Sequence, residues 1–365
     1  EQFAERGHEA MVVCPAAGAP AGYAGFPVAQ VPAFAYRGFP VGLPSPDIAR
    51  TLAGFRPDVL HAASPFLLGG TALAAARKLD IPSVAVYQTD VAGYAKRNRL
   101  GLATGLAWSV VRKVHEPADR TLVPSTASLA DCAANGIERL ELWGRGVDAE
   151  RYAPRNRLRT GSRALRRLLA PRGETIVGYV GRIAPEKQVE RLAELRGLRG
   201  ISIAIVGDGP ARTEVERRLR GMPVTWLGRL DGDRLADAYA AFDVFAHTGC
   251  EETFGQTLQE ASATGLPVVA PAVGGPLDVV VPGETGLLFA PEAPGDFRAA
   301  VVRLASDPAA RARLGEAGRR RMLSRTWSAL TDELLGHYAA VSGARLPAGL
   351  DADRSPELRL TADPQ

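Results

Sequence analysis

Lysine is scarce in this chain: four, at positions 78, 96, 113 and 187, stand against forty arginines in 365 residues. Lys187 is thus alone in the C-terminal two thirds, and a lone lysine among arginines asks for a chemical reason. Cysteine is nearly absent as well. Cys14, Cys132 and Cys250 lie too far apart for metal-ligand or redox spacing, which leaves buried free thiols as the expectation. No run of about 18 apolar residues occurs and no charged-then-apolar leader opens the chain, so no membrane span is expected and the cytoplasm is the predicted compartment. Aromatic residues do not interleave with basic clusters, which argues against a nucleic-acid partner despite a formal charge of +4. A persuasive Asp-x-Asp metal pair is missing too. The "DGD" of Asp231–Asp233 precedes the helical pattern "RLADAYAAF", so Asp231 or Asp233 reads as a helix cap.

Apolar residues make up 46% of the chain, enough for a large core, and the length suggests two domains. Short apolar runs such as "SVAVYQTD", "TIVGYVG", "SIAIVGDGP", "DVFAHTG" and "PVVAPAVGG" alternate with helical patterns, which predicts an α/β protein with parallel sheets and crossover helices. The rhythm breaks at the Arg-rich, proline-interrupted "RYAPRNRLRTGSRALRRLLAPRG". The predicted organisation is a first domain over 1–152, a linker with a surface helix over 153–172, a second domain over 173–325, a closing helix over 326–343 and a disordered tail over 344–365. The opening "EQFAERGHEA" reads as the second half of an amphipathic helix running into the strand "MVVCP", so a first strand and its loop are expected upstream. In doubly wound sheets ligands collect at the carboxyl ends of strands, and the cleft between the domains is the expected site.

Three stretches carry chemistry. In "GYVGRIAPEKQVERL" a strand ends at Gly181, and Arg182 and Lys187 flank a proline positioned to open the next helix; two cations at a helix start suit a diphosphate, although a solvated surface pair is the alternative. "VGDGPAR" reads chiefly as a tight strand-to-helix turn. In "ETFGQTLQE", Glu252 is predicted in the loop after a strand and Glu260 in the first turns of the following helix. Paired carboxylate oxygens accept hydrogen bonds from vicinal sugar hydroxyls, so one glutamate suits a sugar and the other a ribose; a cap and a solvated helix acid are the alternative. "VGGP", beyond the next strand, adds a further glycine-eased helix start. His61 ends a strand and reads either as a site residue or as a satisfied core histidine. His8, His115, His247 and His337 read as structural or exposed.

Taken together, "GRIAPEK", "VGDGP" and "ETFGQTLQEASATGLPVVAPAVGGPLDVVVPGETGLLF" resemble the C-terminal domain of retaining GT-B nucleotide-sugar glycosyltransferases of the family 4 type. "VLHAASPFLLG", "VAVYQTDVAGYA" and "WGRGVDAERYAP" resemble the N-terminal domain of the bacterial GDP-mannose-dependent α-mannosyltransferases of glycolipid synthesis. The resemblance implies two Rossmann-like domains facing a central cleft, the first on the acceptor side and the second holding the nucleotide sugar. It implies that Arg182 and Lys187 bind the donor diphosphate, and that Glu252 holds the donor sugar with backbone help from Thr253, Phe254 and Gly255. Glu260 would hold the ribose, and Gln88, where many relatives have histidine, would touch the sugar. It further implies retention of anomeric configuration with no metal or other cofactor, and a lipid or lipid-linked glycan as acceptor. For such an acceptor, the mixed basic and apolar "KRNRLGLATGLAWSVVRKVHE" is either a solvated helix with a core side or a docking face for anionic headgroups on the inner face of the plasma membrane. A UDP-hexose donor, a sugar-nucleotide epimerase and an inactive nucleotide-binding remnant are the alternatives.

Overall fold

The computed structural model describes residues 1–15, 18–36, 39–88 and 101–344. The expected disordered tail, past 344, and the basic start of the Lys96–Glu116 stretch lie outside the described residues. The chain forms two compact units. One takes in Glu1–Tyr87, Arg112–Leu122 and the chain from Leu330; the other takes in Gln88–Val111 and Val123–Ala329.

In the first unit, Leu60–Ala62, Ser83–Val86 and Arg120–Val123 run parallel, as the apolar runs predict. The Asp119 carboxylate accepts from the Ser83 N–H at 2.8 Å and its hydroxyl at 3.1 Å, fixing the start of the middle strand. Helices Asp47–Phe55 and Gly70–Lys78 bury Ile48, Leu52 and Ala76 with Val31. Two antiparallel pairings, Gly22–Tyr23 with Phe26–Val31 and Ala33–Tyr36 with Phe39–Gly42, have no counterpart in the sequence reading, because such short proline-rich stretches lack a clear period of two. The closing helix, Trp327–Ser342, ties most of its length to this unit: Asp332 pairs with Arg6 at 2.8 Å, and the Tyr338 hydroxyl lies 2.7 Å from His61 Nδ1.

The second unit is built on a six-stranded parallel sheet in the order Val224–Gly228, Ile201–Val206, Thr175–Val180, Val244–Ala246, Val268–Pro271, Gly286–Phe289. Numbered along the chain, these strands lie 3-2-1-4-5-6, the doubly wound order whose direction reverses between the first and the fourth. Alternation sorts the core into two layers. Ile176, Val180, Ala204, Val206, Val268 and Ala270 face one side with Tyr239, Phe242 and Leu258, whereas Val177, Tyr179, Ile203, Ile205 and Val269 face the other with Phe289 and Phe297.

Within the expected linker, Pro154–Leu158 makes a 3-10 turn and Thr160–Leu169 a helix, whose Arg166 lies 3.0 Å from the Asp243 carboxylate. Asp231 occupies the N-cap position of Gly232–Ala241 without a side-chain capping bond. Asp233 pairs with Arg159 at 3.2 Å, so the "DGD" carboxylates belong to a helix start and an ion pair. The helix expected after "GRIAPEK" is corrected. Pro185–Lys187 forms a single 3-10 turn, Gln188 breaks it with a left-handed φ of 46°, and Val189–Leu195 continues as 3-10 helix. Charge on Arg182 and Lys187, rather than a long helix dipole, is what that loop offers an anion.

Candidate active site

Lys187 follows the first strand of the six-stranded sheet and Glu252 the fourth, so the order reversal sets the two loops side by side. Lys187 Nζ lies 2.7 Å from Glu252 Oε2, with side chains only 22% and 18% exposed. Thr248 donates through its hydroxyl to the Lys187 carbonyl at 2.7 Å, so the two loops are also joined through the backbone. Burial alone would raise the Glu252 carboxyl, but Lys187, His247 and the Phe254 N–H outweigh it and hold it below the ordinary range.

The loop Glu252–Gly255 is shaped by two glycine-dependent features. Gly255 takes φ of 103°, a region that other residues enter at a cost, and so turns the chain into the helix Gln256–Ala263. Gly275 donates its N–H to the Glu252 carbonyl at 2.8 Å, and a Cβ there would stand 2.5 Å from the Phe254 backbone. "VGGP" therefore serves as a close-packed support for the "ETFG" loop. Its helix, Pro276–Val279, is a single turn.

Glu260 sits on Gln256–Ala263 as expected. It accepts from the Tyr239 hydroxyl at 2.8 Å, and burial raises its carboxyl against the bonds from Tyr239 and Tyr152. Glu252, Thr253, Phe254, Gly255 and Glu260 line one cleft of about 600 Å³. Lys187 reaches this group through Glu252. Arg182 is 67% exposed, and its guanidinium lies 3.8 Å from Glu186. Gln88, two residues past the strand Ser83–Val86, is exposed.

The sequence reading missed several residues of the cleft wall. Arg145, Asp148, Arg151, Tyr152, Gln256 and Trp327 also line it. The Gln256 amide donates to the Gly146 carbonyl at 3.0 Å, which fastens the start of the Glu260 helix to the "WGRGVD" segment. The resemblance had marked that segment as a family motif without giving its residues a role.

His247 is the other omission. It follows the strand Val244–Ala246, is 4% exposed, and its Nε2 stands 3.8 Å from Glu252 Oε2. Neither ring nitrogen has a hydrogen-bond partner among the described residues. Burial, with Lys187 adding to it and Glu252 and the Gly249 backbone opposing, lowers its pKa to about 4, so the ring is neutral near pH 7. The carboxyl-end rule that singled out His61 applies equally here. His61 itself is partly exposed and lies with Nδ1 2.7 Å from the Tyr338 hydroxyl, nearer the core reading than the site reading.

Cys132 is buried, whereas Cys14 and Cys250 are partly exposed, which corrects the expectation of three buried thiols. Among the described residues no group of three or more His, Cys, Asp or Glu could hold a metal ion, and no helix is long and apolar enough to cross a membrane.

Residues 1–151 match the model "Glycosyltransferase Family 4" and residues 163–321 the model "Glycosyl transferases group 1". The chain is 46% identical over 350 residues to a GDP-mannose-dependent α-mannosyltransferase of Mycolicibacterium smegmatis, covering 93% of this chain and 90% of that one. A protein of the same name from Corynebacterium glutamicum is 39% identical over 352 residues, 93% of this chain and 83% of the relative. Among solved structures, the sucrose-phosphate synthase of Thermosynechococcus elongatus superposes with a TM-score of 0.78 at 23% identity, over 94% of this chain and 92% of that one. Anabaena HepE in complex with UDP and glucose gives 0.71 at 18%, over 91% and 100%. These likenesses show the fold, GT-B with two Rossmann-like domains. By sequence and by fold, the chain belongs to the group 1 glycosyltransferases with a family 4 N-terminal segment, and it is a glycosyltransferase.

Proposed function

We propose that this enzyme transfers an α-mannosyl group from GDP-mannose to a hydroxyl of a lipid or lipid-linked glycan, with retention of configuration and without a metal. The observation that carries the reading is the Glu252 and Glu260 pair in one cleft, with Lys187 bonded to Glu252 where the sheet order reverses. The names of the 46% and 39% identical relatives supply donor and sugar.

Lys187 and Arg182 neutralise the charge that gathers on the departing diphosphate. Glu252 accepts from hydroxyls of the mannosyl ring and Glu260 from the ribose. The acceptor hydroxyl forms its bond to the anomeric carbon on the face that the diphosphate leaves. Its proton passes to a phosphate oxygen as the bond between the anomeric carbon and the phosphate oxygen breaks. Cations placed where charge develops are the largest expected source of rate.

Acceptor class rests on chemistry at the surface. The helix Gly101–His115 exposes Leu106 and Val110 one turn apart, with Arg112 and Lys113 also exposed. Such a face suits the boundary of an anionic bilayer. Radiolabelled GDP-mannose incubated with membrane lipid extract is expected to yield a labelled lipid, with undiminished yield in chelator. Label transferred only from UDP-glucose, acceptor-free conversion of the donor, or activity restored by manganese would each defeat the reading in a recognisable way.

A further inference from the structure

We propose that His247 is a positioning residue for Glu252, taking over as its hydrogen-bond donor when Lys187 turns to the donor diphosphate. The inference rests on the reading of Lys187 and Glu252 given above. The cation proposed for the diphosphate and the carboxylate proposed for the sugar are bonded to each other at 2.7 Å. A diphosphate that recruits Lys187 competes for the same ammonium and leaves Glu252 with the Phe254 N–H but without its cation. A largely buried carboxylate losing its cation loses its main compensation for desolvation, so a further donor within reach would stabilise it.

The geometry supplies a candidate side chain. His247 Nε2 stands 3.8 Å from the same oxygen, Oε2, that holds Lys187. That gap is too long for a hydrogen bond, and closing it takes a shift of under about 1 Å. The ring has little to give up: neither nitrogen makes a hydrogen bond of good geometry, the Gly249 backbone acting on it only weakly, and a buried donor so poorly answered is a cost to the fold. Burial keeps the ring neutral at physiological pH, so it donates a single hydrogen bond without adding a second charge that would repel Lys187. The His247 backbone is anchored on both sides, by the strand Val244–Ala246 before it and by the Thr248 hydroxyl's bond to the Lys187 carbonyl after it.

The test is a double-mutant cycle read by calorimetric titration with GDP, which engages Lys187 but brings no sugar to Glu252. His247→Leu is expected to weaken GDP binding about 5- to 10-fold in the wild-type background, the range of one hydrogen bond to a charged group. In the Glu252→Gln background, where no carboxylate is left stranded, the same change is expected to cost less than about 2-fold. His247→Gln, whose amide places a donor near the Nε2 position, is expected to restore binding to within about 3-fold. Should the leucine variant not fold, His247→Asn keeps a polar side chain too short to donate there, and the same non-additivity is expected of it. Equal losses in both backgrounds, or no loss in either, would overturn the inference while leaving the donor-site reading intact. Wild-type protein that fails to bind GDP would overturn both.

Discussion

At the scale of single residues, the ion pair between Lys187 and Glu252 separates groups that the family resemblance treats together. Lys187→Ala and Arg182→Ala each remove a cation from the proposed leaving-group site, and each is expected to lower turnover about 100- to 1,000-fold, from roughly 2–4 kcal/mol per contact. They should differ in stability. Lys187→Ala removes the cation that compensates the largely buried Glu252 carboxylate and is expected to lower the melting temperature, whereas Arg182, mostly exposed and 3.8 Å from Glu186, should leave it unchanged. The glutamates divide in the same way. Glu260→Gln should weaken GDP by roughly 1.5–3 kcal/mol. Glu252→Gln should depress turnover, yet bind free GDP at least as tightly as wild type, because Lys187 is no longer held. Equal loss of GDP affinity in both variants, measured by titration calorimetry beside initial rates, would show the division to be wrong.

At the scale of elements, the glycines of "VGGP" decide where the Glu252–Gly255 loop lies. Gly275→Ala places a methyl 2.5 Å from the Phe254 backbone and must push the Glu252–Gly255 loop aside. Misplacing a positioning group by about 1 Å costs up to about 100-fold in rate, so turnover should fall 10-fold or more, with about 1–3 kcal/mol of destabilisation. Gly336→Ala, in the closing helix with open space at its Cβ, serves as the control and should be neutral or stabilising by about 0.5–1 kcal/mol. Kinetics and thermal melts of the two variants check both. Strand and helix positions along the second sheet were legible because buried parallel strands read as continuous apolar runs. The 3-10 character after "GRIAPEK" was not, since it depends on Gln188 taking a left-handed conformation that no pattern of polarity announces.

At the scale of the whole molecule, two buried histidines and the partly exposed His61 contribute to how the fold responds to acid. His61, His115 and His247 all have pKa lowered from 6.5 to about 4, in each case first by burial. Between those values the unfolded chain binds more protons than the native one, so stability is full above about pH 6.5 and is lost as pH falls toward 4. Each histidine costs up to roughly 3 kcal/mol by the bottom of that window. Denaturant titrations from pH 7.5 to 4.5 should show a falling midpoint, shallower in His61→Phe than in wild type. A flat profile would mean that these rings are protonated in the native state. GDP binding should follow a different group: Glu260, raised by burial, takes up its proton at a higher pH than an ordinary carboxyl, so affinity should weaken on that side and the dependence should vanish in Glu260→Gln.

The sequence by itself determined the α/β class, the strands of the second sheet and the motifs that carry Arg182, Lys187, Glu252 and Glu260, because alternation, turn residues and motif spacing are local properties of a chain. Tertiary structure alone decided which of these residues meet. Lys187 and Glu252 lie 65 positions apart and touch only because the sheet reverses its winding between their two strands. The burial that pushes Glu260 up and the His247 ring down, and the Lys187 ammonium that holds Glu252 down against burial, are set by neighbours from distant segments. Electrostatic environment is a sum over space, and distances through space are what a linear order of residues does not contain.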